Sequence, residues 1–177
     1  MRAGRLRGWL GVIALGLSAL APAQEPPPAP ELLLLSTSVV SPARLARVNA
    51  AAREAGLSLR TVSADADALP RLVQALGQAS LLVIDAPHDS VRAQVAARFG
   101  QAIVQSGVPY VLVAEYSAVA RQQPLASAPL RAEHGVDAGW AQRLREYWRF
   151  GGAQNLRLAM AALQSDARAG ALPPAVP

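Results

Sequence analysis

Short, unbroken apolar runs that stop at polar turns constrain this chain most, and residues 80–90 show the pattern at its clearest: Ser-Leu-Leu-Val-Ile-Asp-Ala-Pro-His-Asp-Ser. Leu81, Leu82, Val83 and Ile84 leave no alternate position polar, as in a strand covered on both faces rather than one with a wet side. The run ends at Asp85, Pro87 stops the ladder, and Asp89 or Ser90 is placed to cap a helix. A strand covered on both faces needs helices above and below it, so the chain must build a layered α/β structure.

The same alternation recurs along the chain. Residues 32–35 are four leucines that end in Ser36-Thr37-Ser38, and Ser41-Pro42 supplies an N-cap followed by proline at the first helical position. Leu45, Val48 and Ala52 recur at helical spacing before Gly56. Residues 57–62 alternate as a strand nearer the edge, and Asp65, Ala66 and Asp67 form a turn. A helix over 69–76 places Leu69, Leu72, Val73 and Leu76 on one face. A helix over 90–106 turns Val91, Val95, Phe99, Ala102 and Ile103 inward and closes at Gly107, and residues 108–114 make a fourth apolar run. The pattern predicts a three-layer α/β fold with a four-stranded parallel sheet in the order 2-1-3-4, flavodoxin-like, with right-handed crossovers. The switch point then lies between loops 36–41 and 85–89.

Residues 116–136 lack clear periodicity and contain Pro124 and Pro129, so they form either a flap or a hidden short element. Asp137 caps a helix carrying Trp140, Leu144, Tyr147 and Trp148 on one face, Gly151-Gly152 ends it, and a last helix over 153–164 buries Leu156, Met160 and Leu163. The two form a C-terminal helical hairpin. The aromatic stripe fits packing better than a ligand platform at this spacing.

Arg2, Arg5 and Arg7, the apolar residues 9–20 and Ala21-Pro22-Ala23 make a secretory signal peptide over 1–23. The apolar run is nearer a dozen residues than the ~20 a spanning helix needs, so contact with the membrane is expected only during export, an uncleaved anchor being the alternative. Residues 24–30 read as a Pro-rich linker, 31–165 as the α/β domain and 166–177 as a Pro/Ala-rich tail. Cleavage removes three of the 17 basic residues and none of the 12 acidic ones, leaving +2, with arginines scattered rather than clustered, which argues against a nucleic-acid partner. There is no cysteine, so no disulfide or thiolate metal site is available to an exported protein whose plainest location is the periplasm.

No standard catalytic signature is present, and no catalytic or metal residue is assigned. His88 beside Asp85 and Asp89 could bind a metal or act as an acid–base pair; a solvated loop histidine fits the same residues. His134, beside Glu133 and Gly135, has weaker company and reads as a surface residue. Ser36, Thr37 and Ser38 could hold an anion at the following helix, or serve turn chemistry alone. Any small-molecule site is therefore expected at a rim of Ser36, Thr37, Ser38, Asp85, Pro87 and His88, covered by loop 116–136, with Arg121 and Arg131 as cations.

Two stretches carry a family resemblance. Leu81-Leu82-Val83-Ile84-Asp85-Ala86-Pro87, and more specifically Leu144-Arg145-Glu146-Tyr147-Trp148-Arg149-Phe150-Gly151-Gly152-Ala153-Gln154-Asn155-Leu156-Arg157, resemble the N-terminal region of the large, CobN-type subunit of cobaltochelatase, itself related to the large subunit of magnesium chelatase. Gly151, Gly152 and Asn155 then form a structural junction, with Asn155 expected to bond free backbone groups at the start of the next helix. In the family, metal insertion into the tetrapyrrole lies in regions beyond this one and works with ATP-hydrolysing partner subunits. The resemblance implies a truncated or detached domain that handles tetrapyrrole or metal in the periplasm, a binding or assembly module without catalysis of its own. Its partners would be the remaining chelatase domains or ATPase-type subunits, a tetrapyrrole is the possible ligand, and no cofactor is evident. The alternative is a stand-alone periplasmic ligand-binding or protein-interaction domain of the same fold.

Overall fold

The computed structural model describes residues 31–113, 130–165 and 172–176. The signal peptide, the linker at 24–30, Arg121 and most of the expected flap lie outside them. Chain order is β1 (Glu31–Ser36), α1 (Pro42–Glu54), β2 (Leu59–Ser63), α2 (Ala68–Leu76), β3 (Ala79–Asp85), α3 (Asp89–Ser106), β4 (Tyr110–Leu112), β5 (Glu133–His134), α4 (Ala138–Phe150) and α5 (Gly152–Gln164).

The leucine run of β1 and the apolar run of β3 lie side by side, with Leu32 against Leu81 and Ser36 against Asp85. Pleating sends alternate residues to opposite layers. Leu33, Leu35, Leu82, Ile84 and Leu112 pack with α2 and α3, while Leu32, Leu34, Leu81, Val83 and Val111 pack with α1, α4 and α5. Each leucine fully buried in this way is worth roughly 1.5–3 kcal/mol, and it is burial on both sides that makes an unbroken apolar run stable as a strand.

Local signals set the helix ends. Ser41 Oγ accepts from the Arg44 amide at 3.2 Å with Pro42 next in line, and Asp137 Oδ1 accepts from the Trp140 amide at 2.8 Å. Gly107 closes α3 in the left-handed conformation, φ 67°.

The structure corrects several expectations. The sheet has five strands rather than four, in the order β2-β1-β3-β4-β5, and it is mixed: β5 pairs antiparallel with β4, Tyr110 against His134 and Val111 against Glu133. The expected order therefore gains an edge strand, a short element at the end of the stretch read as either a flap or a hidden element. His134 lies on that edge, exposed, its ring stacked on Tyr110 at 5.8 Å. The inward face of α2 is Ala68, Leu72, Ala75 and Leu76; Leu69 and Val73 are 43% and 53% exposed. Small Ala68 and Ala75 let the helix approach the sheet, and this rotates the larger pair outward. Finally, α3 begins one residue early, at Asp89, with His88 in the N-cap position and no side-chain capping bond.

Candidate functional site

β1 leads into α1 on one face of the sheet and β3 into α3 on the other, so the carboxyl ends of β1 and β3 flank a switch point. The pleat places Asp85 on the same face as Leu81 and Val83, beneath α1 and α4. Its side chain is almost wholly enclosed, at 3% exposure. Asp85 Oδ2 accepts a hydrogen bond from the Trp148 indole Nε1 at 3.0 Å, and Arg44 Nε lies 3.6 Å from the same oxygen. Arg44 Nη2 also donates to the Trp148 carbonyl at 3.1 Å, and Thr37 Oγ1 donates to the Asp85 carbonyl at 3.1 Å. Three segments of chain thus meet at one carboxylate, and a fourth bonds the backbone carbonyl of the same residue.

Burial pushes the Asp85 carboxyl above its usual range, against the opposing pull of the indole bond and of Arg44. Its second oxygen, Oδ1, is buried with no partner among the described residues. Such a group holds a proton more readily than a surface carboxylate, which is the first requirement for acid–base work. The second requirement is access, and Ser36, Thr37 and Asp85 are all buried. The arrangement is a polar knot tying α1 and α4 to the end of β3.

The six residues expected at one rim are divided between environments. Thr37 and Ser38 line a hollow of about 60 Å³ on the opposite face, walled by Val91, Val95 and Phe99 and too small for a macrocycle. Pro87 is half-buried and His88 is exposed. No ion pair or hydrogen bond joins His88 to Asp85 among the described residues, and no cluster of three metal-ligating side chains occurs among them. Arg131 is exposed, its amide donating to the Tyr110 hydroxyl at 3.1 Å.

Sequence reasoning missed Arg44, Trp148 and Arg145. Trp148 counted only as packing, yet its indole N–H bonds Asp85 Oδ2. Arg145 bonds the carbonyls of Leu112 and Ala132, each at 2.9 Å, and pairs with Glu133, fastening the β4–β5 edge to α4. The signal available was an arginine on the inward face of an aromatic helix, a position where a cation is rare unless it is paired. At the junction, Gly151 and Gly152 take positive φ of 62° and 71°, as the reversal requires. Asn155 departs from expectation: its amide bonds both backbone groups of Val176, in the tail, rather than the start of α5. Between α1 and α5 runs an open groove of about 370 Å³, lined by Arg47, Ala50, Ala51, Glu54, Leu156 and Arg157 among others.

No protein-family model and no curated protein matches the chain. Among solved structures it is similar to the catalytic subunit of cobaltochelatase from Mycobacterium tuberculosis, with 25% identity and a TM-score of 0.52 over 85% of this chain. The likeness spans 12% of that subunit's length. No helix among the described residues is long and apolar enough to cross a membrane. Fold and identity together support a cobaltochelatase-like α/β domain.

Proposed function

We propose that this chain is an exported cobaltochelatase-type module that serves tetrapyrrole or metal handling in the periplasm by binding or assembly, with no catalysis of its own. The observation that carries the reading is the likeness to the cobaltochelatase catalytic subunit over 85% of the chain. Export rests on the leader, with Arg2, Arg5 and Arg7 ahead of an apolar run and Ala21-Pro22-Ala23. The enclosure of Asp85 by Trp148 and Arg44 supports a structural role for that group. Partners in this reading are further chelatase domains or ATP-hydrolysing subunits.

A flat ligand bearing carboxylates needs an apolar wall and cations. The α1–α5 groove offers both, in Ala50, Ala51 and Leu156 flanked by Arg47 and Arg157, whereas at the β1–β3 rim Ser36, Thr37 and Asp85 are buried. We therefore place tetrapyrrole contact at the groove, which can take one edge of the macrocycle. This feature also favours the second reading, a ligand-binding domain of the same fold working outside any chelatase.

The test is titration of the chain from Gln24 with haem and with metal-free porphyrin. The expected result is binding weakened at least tenfold, roughly 1.4 kcal/mol, by the double variant Arg47→Glu/Arg157→Glu and unchanged by His88→Ala. Loss of binding in His88→Ala with the groove variant unaffected would return the site to the rim. Absence of binding at any practical concentration would remove the ligand role and leave assembly.

A further inference from the structure

The stretch 172–176, Leu-Pro-Pro-Ala-Val, lies against the α4–α5 hairpin, and its contacts repeat every third residue. Leu172 and Ala175 are half-buried against the core cluster of α4 and α5, while Pro173, Pro174 and Val176 are exposed. The hydrogen-bonded carbonyls are also three apart: Tyr147 donates its hydroxyl to the Pro173 carbonyl, and Asn155 Nδ2 donates to the Val176 carbonyl at 2.6 Å. Asn155 Oδ1 accepts in return from the Val176 amide at 2.9 Å. Asn155 itself is only 5% exposed, a fixed amide rather than a wandering surface one.

A period of three is that of the polyproline II helix, in which residues i and i+3 share a face. The sequence presets this conformation: Pro173 and Pro174 fix their own φ, and Leu172, Pro173 and Val176 each precede a proline, which bars the helical region. A segment stiffened in this way loses little entropy on docking. Every polar contact made to it goes to the backbone, and the side chains are read only as apolar or small. That is how a surface recognises extended proline-rich peptides as a class.

We infer that the α4–α5 face is a docking site for extended proline-rich peptides, occupied in this chain by its own residues 172–176. Asn155 and Tyr147 are the reading residues, and Leu172 and Ala175 fill the apolar positions. The site is independent of any tetrapyrrole function. Because the tethered segment is held at a high effective concentration, it masks the site from free peptides of the same type.

The experiment uses the full chain with Leu172→Asp and Val176→Pro, which remove one apolar contact and the donated amide and so vacate the site. Calorimetric titration with the free peptide Ala-Leu-Pro-Pro-Ala-Val-Pro should show binding to the vacated chain, at least tenfold weaker binding to wild type, and at least tenfold loss when Asn155→Leu is added to the vacated chain. Thermal melts check folding, and Tyr147→Phe, which removes only a hydroxyl, replaces Asn155→Leu if that variant does not fold. No binding to the vacated chain, or binding equal in the vacated chain and its Asn155 or Tyr147 variant, would overturn the inference.

Discussion

The indole of Trp148 and the carboxylate of Asp85 are joined by a 3.0 Å hydrogen bond across 63 positions of sequence. It links the helix of the aromatic stripe to the end of the central strand, and it leaves Asp85 Oδ1 buried without a partner among the described residues. Trp148→Phe keeps an aromatic ring and removes the donor. It should cost about 1–3 kcal/mol at neutral pH, read by urea denaturation, because the carboxylate is then enclosed without its indole bond. A loss no larger than that of a surface substitution would show the bond to be incidental.

Asp85 should also leave a signature in the pH dependence of stability. Burial raises its folded pKa, so between the unfolded and folded values the native state binds more proton than the unfolded chain. The stability this group contributes is present in acid and is lost as pH rises through the folded pKa. Asp85→Asn removes that slope, and the melting temperature of the variant should gain on wild type between about pH 3.5 and pH 7. Wild type gaining on the variant over the same interval would mean that Arg44 and Trp148 outweigh desolvation.

Arg145 fastens β5 to the sheet through two carbonyls and Glu133. Arg145→Met keeps the stem and removes the donors, and it should cost roughly 1–3 kcal/mol. The Leu112 amide, which donates to the Ala132 carbonyl at 2.9 Å, should lose protection in hydrogen exchange ahead of the β1 and β3 amides.

The two glycines that end α3 and α4 differ in what they require. Gly107 sits at φ 67°, ψ 2°, while Gly151 sits at φ 62°, ψ −147°, a region that residues with a Cβ avoid. Gly151→Ala should therefore cost about 1–3 kcal/mol, more than Gly107→Ala, in parallel thermal melts. Nothing lies within 4 Å of a Cβ built at either site, so a difference between the two would report backbone strain rather than crowding.

Much of the fold was legible because its signals are local. The apolar runs at Leu33 and Leu82 announce buried strands, and Ser41, Asp137 and Gly107 mark helix ends whatever surrounds them. The aromatic stripe of Trp140, Leu144, Tyr147 and Trp148 also packs as its spacing implies. What escaped is non-local. Residues 116–136 admit a short element but do not place it: β5 is two residues with no periodicity, and its position depends on β4 and Arg145 as partners. The outward turn of Leu69 and Val73 depends on how closely Ala68 and Ala75 let α2 approach. Asp85 was legible as a strand-end aspartate, but its partners are Arg44 and Trp148, and nothing in the local sequence links those three. Asn155 was placed at the right junction and given the wrong partner, since its hydrogen bonds run to a tail segment read as linker.

The short antiparallel strand β5 has a consequence for self-association. An open sheet margin is a template for a strand from another molecule. At one margin of this sheet the template is Glu133 and His134, two residues, too brief for a stable added ladder. At the other it is β2, five residues long, where Arg60 would set like charges near each other if two copies met edge to edge. Among the described residues, one margin offers little ladder because of its brevity and the other carries a charge, so edge-to-edge pairing of copies is disfavoured at both.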